Sequence, residues 1–262
     1  MLDLELITEK VKMIAIEAGH FLLEERIHFK REKVEEKRSH DYVSYVDKES
    51  ERRIVAALSK LLPEAGFIAE EGSGFHGEEE YYWLVDPLDG TTNYIHDNAP
   101  YCVSIALRDK KELLVGVVYE VCRDECYWSW KGSKAYLNGC EISVSGITVM
   151  DRAFIALGFP YSFEDYKPTA HHIIEELYGN VGGMRLQGAA AAELCYVAAG
   201  RFEARIEAHL GPWDIAAGAL ILMQAGGIVT DFTGGNNFYT GEQVLASNGK
   251  IHYQLIAMLA KK

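Results

Sequence analysis

The chain of 262 residues is poor in positive charge. It carries 26 Lys and Arg against 39 Asp and Glu, a formal charge of −13. Nonspecific binding to nucleic acid needs a basic surface that displaces counterions from phosphates, so a nucleic-acid polymer is not expected as a partner. Any phosphate handled here must meet positive charge from another source. The five cysteines, at 102, 122, 126, 140 and 195, are odd in number and scattered, which argues against a disulfide framework and suits reduced thiols. Cys122 and Cys126 are close, but no C-x-x-C or neighbouring His completes a zinc set. There is no apolar run of membrane-spanning length. The first thirty residues carry acids throughout and show no basic stretch leading into an apolar one. A cytoplasmic protein without a membrane partner is expected. Also missing are G-x-x-x-x-G-K-[ST] and the alternating ligand spacing of an EF-hand, and "AAAAELCYVAAG" lacks the G-x-G-x-x-G spacing of a dinucleotide loop.

What is present reads as α/β. Leu4, Ile7, Val11, Ile14, Ala18, Phe21 and Leu22 recur at helical spacing, predicting an amphipathic helix packed on a sheet. The mixed-charge run "HFKREKVEEKR" (28 to 38) predicts a solvated, mobile connection. A second helix is expected from about Lys48 to Leu62, ended by Pro63. Between Tyr101 and Val144, β-rich runs separated by "RDKK", "CRDE" and "KGSK" predict an antiparallel meander. Beyond Gly146, strands alternate with helices, among them the small-residue helix "AAAAELCYVAAG". The expectation is one compact unit with a soft boundary between 1–146 and 147–262. Acids of interest lie in both halves, which puts the site between them.

Three acidic stretches share a grammar of apolar run, carboxylate, then small or turn-forming residues: "FIAEEG" with Glu70 and Glu71, "WLVDPLDGTT" with Asp86 and Asp89, and "GPWDIAAG" with Asp214. A strand that ends in a carboxylate delivers it to the rim of a sheet, where ligands gather. Asp86 and Asp89 cannot both be buried and ionised at close quarters without a cation. Oxygen ligands without His or Cys suit Mg²⁺. The number of acids admits more than one ion, with Asp86 placed to bridge a pair about 3.5–4 Å apart. In "DGTT", Asp89 is expected as an N-cap, and the free amides behind it are placed to receive an anion, with Gly90 letting that anion approach. Plainer readings stand beside these. Glu71 lies behind Glu70, Asp214 could serve only as a helix cap, and His171 and His172 belong to a solvated helix face. A phosphatase with an aspartate nucleophile would need D-x-D and an adjacent Asp pair. Here the aspartates are three apart and no Asp-Asp occurs.

These stretches, in order and spanning nearly the whole chain, resemble the signature segments of the inositol monophosphatase family. "DYVSYVD" (41 to 47) resembles its upstream D-x-V-[ST]-x-x-D element. The resemblance implies a layered α-β-α-β-α fold, hydrolysis of a phosphate monoester with two or three Mg²⁺, sensitivity to lithium and a homodimer. By motif it implies metal ligation by Glu70, Asp86, the carbonyl of Leu88, Asp89 and Asp214, and phosphate held at Gly90 and Thr91. Thr91 and Asp47, with Glu70, would direct the attacking water, and no phosphoenzyme would form. Glu207 would contact the substrate's hydroxyls, and Lys37 would match a mobile-loop lysine. "RLQGAAAAEL" (185 to 194) resembles the substrate element R-x-x-G-[ST]-A-A through Gly188, Ala189 and Ala190, with Ala189 standing where a hydroxyl residue is usual. The implied substrate is a small phosphorylated polyol, inositol monophosphate first, with fructose 1,6-bisphosphate or a nucleotide 3′-phosphate as alternatives. A catalytically silent metal- or phosphate-binding regulator is the reading from another class. Retention of Asp47, Glu70 and Thr91 together argues against it, because binding alone needs no water-directing groups.

Overall fold

Apolar spacing becomes a 25-residue helix, α1 (Leu4–His28), in the computed structural model, which describes residues 2–29, 34–38, 41–73, 77–160 and 165–260. Asp3 accepts the Leu6 amide at 3.0 Å and so starts the helix. Val11, Ala15 and Leu22 bury its inner stripe. The connection after α1 departs from expectation: β1 (Glu35–Arg38) pairs antiparallel with β2 (Asp41–Val43), bringing Glu35 opposite Val43. A two-stranded ribbon is held by backbone hydrogen bonds, which charged side chains do not disclose. Next comes α2 (Tyr45–Leu61), three residues earlier than expected. Ser44 caps it, and Asp47 sits inside the first turn as the reciprocal member of a capping box.

The main sheet has seven strands in chain order: β3 (Gly66–Ala69), β4 (Tyr81–Asp89), β5 (Cys102–Asp109), β6 (Leu113–Glu120), β7 (Glu125–Trp130), β8 (Ala135–Leu137) and β9 (Cys140–Ile142). β3 lies parallel to β4, and the rest run antiparallel, including the expected meander. A short helix, α3 (Thr91–His96), links β4 to β5. The second sheet comprises β10 (Phe154–Leu157), β11 (Gly183–Arg185), β12 (Ala204–Ala208), β13 (Ile228–Thr230) and β14 (Gln243–Ser247), in the spatial order β11-β10-β12-β14-β13. Its helices are α4 (Lys167–Leu177), α5 (Ala190–Ala198), α6 (Pro212–Gln224) and α7 (His252–Leu259).

Three apolar clusters show the layering. One joins α1 and α2 to the first face of the large sheet. Another joins its second face to α5, α6 and the small sheet, and a third joins the far face of the small sheet to α4 and α7. Alternation along β5 makes the division visible. Val103, Ile105 and Leu107 face α1 and α2, whereas Cys102 and Ala106 face the middle helices. The result is α-β-α-β-α.

The middle layer explains the small residues. A Cβ at Gly116 would stand 2.7 Å from the Ala217 carbonyl oxygen, and one at Gly218 would stand 2.6 Å from the Leu194 Cβ. α6 therefore touches β6 and α5 almost backbone to backbone, and overpacking such contacts costs about 1–3 kcal/mol. Among the described residues, no helix is long and apolar enough to cross a membrane.

Candidate active site

The acids gather because β4 breaks its own pairing. Asp86 lies opposite Ser104 and Asp89 opposite Cys102, with a register shift between them. Pro87 occupies this shift, where a missing N–H costs no ladder bond. The bulge turns both carboxylates into one cleft of about 700 Å³. Gly90 then reverses the chain at φ +91°, a left-handed value that favours glycine. No side chain caps the first amides of α3.

Asp89 differs from its expected role. It ends β4, and its carboxylate accepts the Ala190 and Ala191 amides at 3.0 and 2.7 Å and the Cys102 thiol at 3.3 Å. It therefore caps α5, across the cleft, and leaves α3 uncapped. The sequence shows only that a helix start follows Asp89, not which helix Asp89 serves. Asp214 lies in the first turn of α6 and accepts the Gly211 amide at 2.7 Å. Asp86 accepts the Leu88 amide at 2.9 Å and shares a hydrogen bond with Asp214.

Burial first, then the charges of Glu70, Asp89 and Asp214, push the Asp86 carboxyl well above the usual carboxylate range. Burial and the Asp89 charge push Asp214 up to about 7. Asp89 is also raised by burial, with opposition from the Ala190 and Ala191 amides, the Cys102 thiol and the Arg205 charge. A hydrogen bond between two carboxyl groups requires a shared proton, the expected state when no cation separates them. Among the described residues, no group of three or more His, Cys, Asp or Glu side chains is already arranged to hold a metal ion. The donor chemistry nonetheless fits a hard cation, because Glu70, Asp86, Asp89 and Asp214 bring oxygen donors alone to one cleft. Glu70, immediately beyond β3, lines the same cleft. The Leu88 carbonyl accepts the Thr91 hydroxyl at 3.0 Å.

α2 braces this wall. Asp47, fully buried, accepts the Ser44 amide and hydroxyl at 2.8 and 2.6 Å through one oxygen and the Thr91 hydroxyl at 3.0 Å through the other. Burial raises its pKa, while these hydrogen bonds pull it back. One turn on, the fully buried Glu51 accepts the Glu71 and Ser73 amides at 2.7 and 2.8 Å, and Ser50 donates to the Pro87 carbonyl at 3.3 Å.

The opposite wall is built on β12 and α5. Arg205 donates through Nε to Glu193 at 2.9 Å and through Nη2 to Glu207. The other Glu193 oxygen accepts the Gln187 amide at 3.0 Å. Asn93 ties the same segment by donating to the Gln187 and Pro100 carbonyls, each at 2.7 Å. Gly188 takes φ +80°, and Ala189, at the N-cap of α5, is fully buried. Lys37 is in β1, but its side chain lies outside the described residues.

Glu70, Asp86, Leu88, Asp89, Gly90, Thr91, Gly188, Ala189, Ala190, Glu207 and Asp214 all line the one cleft, with Asp47 immediately behind Thr91. Glu51, Asn93, Cys102, Glu193 and Arg205 were not anticipated. The i, i+2 spacing of Arg205 and Glu207 in an alternating strand does carry a signal, because it places both on one face.

The sequence model of the inositol monophosphatase family matches residues 3–262. The chain is 38% identical over 262 residues to the fructose-1,6-bisphosphatase/inositol-1-monophosphatase of Aquifex aeolicus, covering 100% of this chain and 98% of that protein. It is 39% identical over 223 residues to the Nus factor SuhB of Escherichia coli K12, covering 85% of this chain and 84% of that one. The crystal structure of the extragenic suppressor protein suhB from Bartonella henselae matches with a TM-score of 0.92 at 34% identity, over 97% of this chain and 98% of that one. Agreement of this extent takes in both sheets, the middle helices and the whole acidic cleft: the chain belongs to the inositol monophosphatase family.

Proposed function

We propose that this protein hydrolyses a small phosphate monoester, inositol monophosphate first, with Mg²⁺ and with water as the nucleophile. The reading rests on three carboxylates, the buried Asp86 and Asp89 and the half-buried Asp214, crowded against one another beside the Asp47–Thr91 hydrogen bond. Glu70, Asp86, Asp89, Asp214 and the Leu88 carbonyl are the oxygens that would hold the ions. Bound there, Mg²⁺ would neutralise the phosphate, lower the pKa of a water and stabilise the departing alkoxide.

The chain's own groups divide the remaining work. Gly90 and the uncapped start of α3 leave backbone N–H groups for the phosphate oxygens. Asp47 accepts the Thr91 proton, which turns the hydroxyl's lone pairs outward to accept from the attacking water. Glu70, at the entrance to the same wall, orients that water from its other side. Glu207 accepts from hydroxyls of the alcohol.

The name Nus factor on the Escherichia coli relative supports a second reading, a regulatory role in which the cleft is silent. A phosphate-release screen over myo-inositol 1-phosphate, fructose 1,6-bisphosphate and 3′-phosphoadenosine 5′-phosphate separates the two. Turnover of at least one ester with Mg²⁺, lost in chelator, is the expected result, and lithium inhibition can be read in the same assay. Absence of turnover for every ester would favour the regulator.

A further inference from the structure

Six carboxylates and a single Lys or Arg line the cleft among the described residues, and that one cation is Arg205. We infer that Arg205 is a positioning residue that sets the site's preference for polyhydroxylated esters by holding the Glu207 carboxylate toward the substrate's hydroxyls. The inference rests on the phosphatase reading above and names what selects the alcohol.

The two side chains stand together on one face of β12, with Arg205 at the back and Glu207 at the front. Arg205 is 1% exposed and Glu207 12%. The guanidinium is fixed from behind, because Glu193 takes Nε and is itself held by the Gln187 amide. Glu207 is also fixed from the side. A Cβ at Gly158, just beyond β10, would overlap its carboxylate, so the absent side chain is the space Glu207 occupies. The Gly158 amide donates to the Ile206 carbonyl at 3.0 Å, which ties that glycine to the same strand.

Arg205 Nη1 is buried and has no partner among the described residues. A guanidinium with an unspent donor, deep beside two glutamates, is a poor device for stability, since apolar packing of equal volume commonly does as well or better. Its evident use is orientation. A carboxylate offers acceptors only, and two oxygens held in a fixed plane match neighbouring hydroxyls of a ring. Two glutamates against one arginine leave this end of the cleft net negative, which favours hydroxyls over a second phosphate.

The test is the ratio of kcat/KM for myo-inositol 1-phosphate to that for phenyl phosphate, an ester without hydroxyls. Arg205→Gln should lower the ratio about tenfold or more, mainly through KM for the polyol ester, and Arg205→Lys should restore part of it. Gly158→Ala, which displaces Glu207 while leaving the Arg205–Glu193 pair intact, should lower the ratio too, and it decides the matter if Arg205→Gln fails to fold. In a Glu207→Gln background, Arg205→Gln should change the ratio no further. Equal proportional losses on both esters would overturn the inference and leave the phosphatase reading standing. No turnover of either ester by the unmodified protein would overturn both.

Discussion

The two walls of the cleft bury carboxylates and resolve the cost in opposite ways. On the wall of Asp86, Asp89 and Asp214 the acids crowd one another, with backbone amides, the Cys102 thiol and a shared proton as partners, and their pKa values rise. On the wall of Glu193 and Glu207 an internal arginine supplies the countercharge. One wall carries its own countercharge. On the proposed reading, cations from solution would finish the other, so the reaction would take place there while the paired wall would face the alcohol.

The largest expected effect breaks the unpaired wall. Asp86→Asn should reduce Mg²⁺-dependent phosphate release by about 10³-fold or more, since the metal contributes several kcal/mol to such reactions. In chelator the same variant should melt no lower than the parent, because a crowded charge has been removed. A rate assay and a thermal melt read the two halves, and full activity of the variant would remove Asp86 from the site.

Next, the dyad at the edge of that wall asks whether its charge is used to move a proton. Thr91→Ala and Asp47→Asn should each cost about 10²–10⁴-fold in single-turnover rate, and the double variant should be little worse than either. Strictly multiplicative losses in a double-mutant cycle would show two independent roles.

A smaller effect sharpens the contrast through pH. With Asp214 at about 7 in the fold and Asp86 raised well above the usual carboxylate range, the native state binds protons that the unfolded chain has released above about pH 4. Their contribution is therefore most favourable below the unfolded pKa and is lost as pH climbs through the folded one. Metal-free protein should melt lower at pH 8 than at pH 5.5, and Mg²⁺ should raise the melting temperature more at pH 8 than at pH 5.5. A metal-free melting temperature that rose with pH would contradict the crowding.

The smallest effect is expected where the walls meet. Ala189→Ser places a hydroxyl at the N-cap of α5, a change worth about 0.5–2 kcal/mol at an unattended helix start. Asp89 already holds the Ala190 and Ala191 amides, so the melting temperature should shift by no more than about 2 °C. A larger rise would mean that Asp89 caps α5 poorly.

Sequence disclosed those parts of this molecule that use local rules. The meander of β5 to β9 was legible because turn-sized polar breaks separate β-rich runs, and the acids were legible because each ends an apolar stretch. Asp89 was read as capping the helix that follows it, yet it caps one a hundred residues later, a choice fixed by the bulge at Pro87 and by how α5 lies across the cleft. Glu51 and Glu193 look like ordinary acids in helices until tertiary packing brings backbone amides or a guanidinium to them. The run 28 to 38 showed only its charge, and the β1–β2 ladder it contributes to is made of backbone.

α2 holds three separate parts of the unpaired wall from one rigid rod. Asp47 meets the Thr91 hydroxyl, Ser50 the Pro87 carbonyl and Glu51 the amides of Glu71 and Ser73, all within five consecutive residues of a single helix. It acts as a jig: the spacing between the hydroxyl, the strand bulge and the loop bearing Glu70 is set by helical geometry instead of by three independent fits. Errors in that spacing are therefore correlated. A one-residue insertion between Asp47 and Glu51 would turn one grip by about 100° against the other, and the wall would lose its alignment as a unit.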